Sequence, residues 1–75
     1  MKIKWGKWKH YKGGEYEVLG VGIHSENLEE MVIYKSLKDN HGYQKGTIWI
    51  RPIKEWNEKI DFEGKKIKRF VLIKG

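Results

Sequence analysis

Cysteine and alanine are both absent from this 75-residue chain, and proline occurs once. Without cysteine there is no disulfide staple, no cysteine-ligated zinc and no thiolate nucleophile, and the redox compartment is left open. Without alanine the strongest helix former is missing. No apolar run approaches the roughly 18 residues that span a bilayer as a helix. The opening Met1-Lys2-Ile3-Lys4-Trp5 also lacks the continuous apolar segment of a signal peptide, so the expected location is cytoplasmic, with no membrane partner. Arginine is scarce too: only Arg51 and Arg69 stand against fourteen lysines.

What is present describes a folded domain. Aromatic residues make up 13% of the chain, including four Trp and four Tyr, a content that disordered basic tails do not carry. The length allows one core, so residues 1–75 are expected to form one domain, and a chain this short buries only about 60% of its unfolded surface. Nine Ile, four Val and one Thr supply β-branched side chains that suit strands better than helices. Neither an internal repeat nor a linker interrupts the chain.

Alternation places the strands. From Lys7, Trp8 and His10 share one face and Lys9 and Tyr11 the other, up to a hairpin turn at Gly13-Gly14. Tyr16 to Ile23 alternates again, with Gly20 and Gly22 marking a bend or bulge. In residues 24–30, Asn27 and Glu30 have the spacing of an N-cap and its capping-box partner, which predicts one short helical turn. Met31 to Leu37 and Thr47 to Arg51 read as strands on either side of a polar loop, Lys38 to Gly46. Pro52 ends pairing and opens a 3₁₀ turn through Trp56, and a last hairpin joins Ile60–Phe62 to Ile67–Ile73 at Gly64. Short strands with tight turns favour a closed barrel, which leaves no exposed edge. The expected fold is therefore all-β, a small SH3-like barrel of five to six antiparallel strands with a short helical turn; an OB-type barrel is the competing topology.

The residues His10-Tyr11-Lys12-Gly13, Tyr16, Val18-Leu19-Gly20, His24-Ser25-Glu26, Leu28-Glu29, Tyr34, Trp49 before Arg51-Pro52, and Arg69-Phe70 resemble the pattern of domain-of-unknown-function family 1653. The similarity spans nearly the whole chain. It implies an SH3-like barrel of the kind found in short, largely stand-alone prokaryotic and phage proteins, and it brings no activity with it. Asn27 stands where Thr is usual and Lys68 where Pro commonly precedes Arg-Phe, and the loop from Lys38 to Gly46 is longer than usual.

Charge is divided along the chain. The net +6 arises from a block of five lysines and no acid in residues 1–12, five glutamates and no Lys or Arg in residues 13–30, and a basic remainder that includes Lys65, Lys66, Lys68 and Arg69. If the first strand and the last hairpin are neighbours, both basic clusters merge into a stripe suited to phosphates. The plain alternative is a solvated lysine-rich surface. Aromatic rings interleaved with these charges suit stacking on a base; Trp49 and Trp56 are expected in the core, Trp5, Trp8 and Tyr43 at the surface. The two arginines offer planar bidentate forks that lysine lacks, used either for an anion or for a structural carboxylate such as Glu26 or Glu29.

Histidine, serine and glutamate at His24-Ser25-Glu26, with His10, are triad components in name only. No G-x-S-x-G elbow is present, and consecutive residues point apart, so catalysis is not expected. His10, His24 and His41 show no H-x-H or H-x-x-x-H spacing, and no metal or cofactor is expected. Gly13-Gly14 is a turn rather than a phosphate loop. The candidate ligand residues are His10, Tyr11, Lys12, His24, Ser25, Glu26, Tyr34, Trp49, Arg51 and Arg69, with the arginines and the 24–26 loop expected to meet at one face. The function they point to is non-catalytic binding of an anionic, nucleotide-type ligand. That ligand is a nucleic-acid strand, or a free or cyclic nucleotide held as a phage sponge would hold one. A protein-interaction or homo-oligomeric module is the alternative, and a small hydrolase ranks last.

Overall fold

The computed structural model of the chain describes residues 3–75. Among the described residues, seven strands form two antiparallel sheets. β1 (Gly6–His10), β2 (Glu15–Ile23), β3 (Glu30–Ser36), β4 (Ile48–Pro52) and β7 (Phe70–Lys74) make one sheet in the order β4-β3-β2-β1-β7, and β5 (Lys59–Phe62) pairs with β6 (Lys65–Lys68) in the other. The all-β expectation holds. The barrel, however, is not closed by pairing. The run read as one strand, Ile67–Ile73, is broken at Arg69, so its first part joins β5 and its second part joins β1. Between β4 and β5 a single turn of helix, α1 (Ile53–Trp56), carries the chain away from the edge; Asn57 N–H donates to the Ile53 carbonyl, which makes the turn α rather than 3₁₀. Pro52 is the last paired residue of β4, opposite Met31, a place an edge strand tolerates.

Cross-strand register puts one set of side chains on the inner face of the large sheet: Trp8 opposite Tyr16, Val18 opposite Tyr34, Val32 opposite Arg51, Tyr34 opposite Trp49, and His10 opposite Phe70. A bulge between Val18 and Gly20 shifts the register of β2 by one residue, so that Val21, not Gly20, lies opposite Val32. The core is small and aromatic. Tyr16, Val18, Val32, Tyr34, Ile53, Trp56 and Phe70 are buried, with Ile3, Trp8 and Trp49 packed against them. Trp56 stacks on Phe70 with centroids 3.7 Å apart and planes 4° from parallel, and Tyr34 meets both rings edge-on. Trp8, expected at the surface, shares the inward face with His10 and packs edge-on against Trp56 at 5.5 Å. Trp5 and Tyr43 are exposed as expected.

Residues 24–30 hold one isolated α-turn before Leu28 rather than a helix that starts at Asn27. Asn27 Oδ1 accepts from Glu29 N–H two residues on, an Asx turn, while Leu28 takes a left-handed φ of 60° and donates its N–H to the His24 carbonyl. The turn at Gly13-Gly14 is present, and its two glycines have different causes. Gly13 needs a φ of 102°, whereas a Cβ on Gly14 would lie 2.9 Å from the Tyr16 ring and hydroxyl.

Candidate ligand cavity

The inner face of the large sheet opens at one end into a cavity of about 370 Å³, within the size range of small-ligand pockets. Its floor is built by strand alternation: His10 from β1, Tyr16 from β2, Tyr34 from β3, Trp49 and Arg51 from β4, and Phe70 from β7 all project from the same side. The turn after β1 adds Lys12 and Gly14, and the loop at 38–46 adds Asn40 and His41. Asn40 and Tyr43 pair as an isolated bridge that holds this loop over the sheet, and Tyr43 closes edge-on against Trp49 at 5.2 Å. Among the described residues, no carboxylate lines the cavity.

Several polar atoms of the floor are engaged. Arg51 Nε donates to the Tyr34 hydroxyl at 3.3 Å, its guanidinium lies 5.5 Å from the Phe70 centroid, and Glu55 stands 3.9 Å away outside the lining. Asn40 Nδ2 donates to the Tyr16 hydroxyl. Trp49 Nε1 donates to the buried Ser36 Oγ at 3.0 Å, which fixes the indole. His10 Nδ1 accepts the Lys12 N–H at 3.1 Å, so its neutral ring carries hydrogen on Nε2. Burial, helped by the charges of Arg51, Arg69, Lys12 and His41, pushes the His10 imidazole down to about 4. Burial likewise raises the Tyr16 phenol, which stays protonated at neutral pH.

Of the ten residues singled out in the sequence, five line this cavity: His10, Lys12, Tyr34, Trp49 and Arg51. Tyr11 does not line it; its ring lies beside His10 at 4.6 Å and edge-on to Phe62 at 5.6 Å, with Lys12 Nζ 5.7 Å from its centroid. Arg69 bridges to Glu58 at 2.8 Å and acts on the cavity through its charge at His10. His24 and Ser25 line a separate shallow depression with Ile33 and Ile50, and Glu26 sits exposed in the same turn. The expected meeting of the 24–26 loop with the arginines therefore does not occur. Tyr16, Phe70, Gly14, Asn40 and His41 were missed as site residues. The polar loop at 38–46 was the available signal for the last two, since loops on a rigid sheet often carry function.

The basic stripe is also altered by folding. β1 does lie beside β7, but Lys7 and Lys9 are directly opposite Glu17 and Glu15 on β2. Those glutamates are in turn reached by Lys35 at 3.5 Å and Lys38 at 3.4 Å. The two oppositely charged blocks of the sequence are thus interleaved on the outer face. Lys2 falls outside the described residues. No three metal-ligating side chains cluster among the described residues, and no helix there is long and apolar enough to cross a membrane.

A small all-β domain with an aromatic, cationic cavity at the end of its sheet is the class of protein that the fold and site define. The chain belongs to the DUF1653 family of proteins of unknown function, whose model matches residues 6–72. A crystal structure of a DUF1653 protein from Bordetella bronchiseptica is 29% identical, covers 96% of this chain and 88% of its own, and superimposes with a TM-score of 0.82. Among curated proteins there is no significant match.

Proposed function

We propose that the protein is a non-catalytic, cytoplasmic binding module for an anionic nucleotide-type ligand, and that the cavity holds it. One observation carries this reading: Arg51, Lys12 and His41 converge with Trp49 and Tyr34 on a cavity that no carboxylate lines among the described residues. Phosphate is recognised by the guanidinium fork and the lysine, and an aromatic rim suits a base. The small volume and the glutamates interleaved with the β1 lysines favour a free or cyclic nucleotide over a nucleic-acid strand. No Ser or Cys lines the cavity among the described residues, and His10 has its Nδ1 occupied, which supports binding rather than hydrolysis.

A thermal-shift series with mononucleotides, cyclic nucleotides and single-stranded DNA and RNA tests it. A ligand at a hundred times its Kd adds about 2.7 kcal/mol of apparent stability. Stabilisation by nucleotides is expected; no shift with any of these anions contradicts the reading. A homo-oligomeric or protein-interaction module is the second reading, favoured by exposed Ile23, Ile48 and Ile50 on β2 and on the edge strand β4, and dimerisation in sedimentation velocity without any ligand response is its signature.

A further inference from the structure

We propose, on the reading that the cavity is the anion site, that it selects an oxyanion bearing no hydrogen of its own, the phosphodiester group of a nucleotide. The sheet wall of the cavity offers hydrogens and almost no lone pairs. His10 Nδ1 is filled by the Lys12 N–H at 3.1 Å, which leaves Nε2–H as the donor of that ring. The Tyr34 oxygen accepts from Arg51 Nε at 3.3 Å, and the Tyr16 oxygen accepts from Asn40 Nδ2, so each phenol oxygen already accepts one bond and its O–H is the group it can turn to a ligand. Arg51 and Lys12 can only donate. Burial keeps His10 neutral and Tyr16 protonated through neutral pH, so these assignments do not change there. The remaining acceptors, Asn40 Oδ1 and the His41 ring, belong to the loop at the rim and not to the sheet wall.

An oxyanion whose oxygens all accept matches this wall. A group that retains an O–H must set that hydrogen against donors or forgo a hydrogen bond in a confined site, and a buried unmatched polar group is costly. A phosphodiester has no O–H to place at any pH above its single ionisation, whereas a phosphomonoester keeps one until its second ionisation at about pH 6.

Charge can be held constant in the test. At about pH 8, sulfate and monohydrogen phosphate are both dianions, and only phosphate keeps a hydrogen. In titration calorimetry on the intact protein, sulfate is expected to bind at least about tenfold more tightly than phosphate. Cyclic AMP, a phosphodiester, is expected to bind and to be displaced by sulfate. Phosphate binding as tightly as sulfate, with cyclic AMP still bound, overturns the selectivity and leaves the anion site standing. Sulfate binding without cyclic AMP contradicts the phosphodiester assignment. If none of the three binds, the proposed function fails together with the inference.

Discussion

His10 is the residue at which fold and site constrain each other most. Its ring stands edge-on to Phe70 at 5.0 Å, its Nδ1 ties down the turn at Lys12, and its surroundings are cationic. Its folded pKa, about 4, lies below the ordinary histidine value of 6.5, so on acidification the unfolded chain takes up this proton first. The stability linked to His10 is therefore complete above pH 6.5 and is lost as pH falls through that value toward about 4. Because the ring is only partly buried, solvent screening reduces the effect to the order of 1 kcal/mol. Urea denaturation at pH 7 and pH 4.5 should show this loss, and His10→Gln should shrink the difference between the two. An equal difference in the variant contradicts the assignment. The pairing of His10 with Phe70 was not legible in the sequence, because it depends on which half of residues 65–74 returns to β1, and Arg69 decides that by interrupting the strand.

At the scale of elements, alternation located the strands but not which face turns inward. In β4, the apolar-inward rule would bury Ile48 and Ile50; instead they are 53% and 62% exposed, and Trp49 and Arg51 face the core and cavity. Trp56 and Phe70 supply the apolar surface that those isoleucines could have given, and they are separated from β4 by a helical turn and a hairpin that local pattern cannot join. The capping-box spacing at Asn27 failed for a related reason: the same side-chain oxygen closes an Asx turn when no helix continues. The β5–β6 hairpin carries an element-level prediction. Lys59 is directly opposite Lys68, whereas the neighbouring pair of Asp61 and Lys66 forms an ion pair at 3.4 Å. Like charges in facing positions are unfavourable by a few tenths of a kcal/mol, so Lys59→Glu should stabilise the protein by roughly 0.3–1 kcal/mol in denaturant melts at low salt, and the gain should shrink at high salt. A destabilised variant contradicts the register.

For the whole molecule, the sequence and the structure give different pictures of charge. Blocks of +5 and −5 along the chain imply a polarised surface, yet antiparallel pairing of β1 with β2 and of β2 with β3 alternates lysine and glutamate across the outer face. Cationic side chains meet instead at the cavity, from positions as distant in sequence as Lys12 and Arg51. Arg51 is its pivot. It reaches the Tyr34 hydroxyl and the Phe70 ring while lining the cavity, and lysine in its place keeps the charge but has neither the fork nor the planar stacking surface. The most direct test of nucleotide binding at this cavity is titration calorimetry of cyclic AMP into the wild type and Arg51→Lys, with the melting temperature of each measured alongside. A saturable interaction is predicted in the wild type, weakening at least about tenfold in the variant while the melting temperature stays within a few degrees. Equal affinity in the two proteins, or no binding by the wild type, contradicts it.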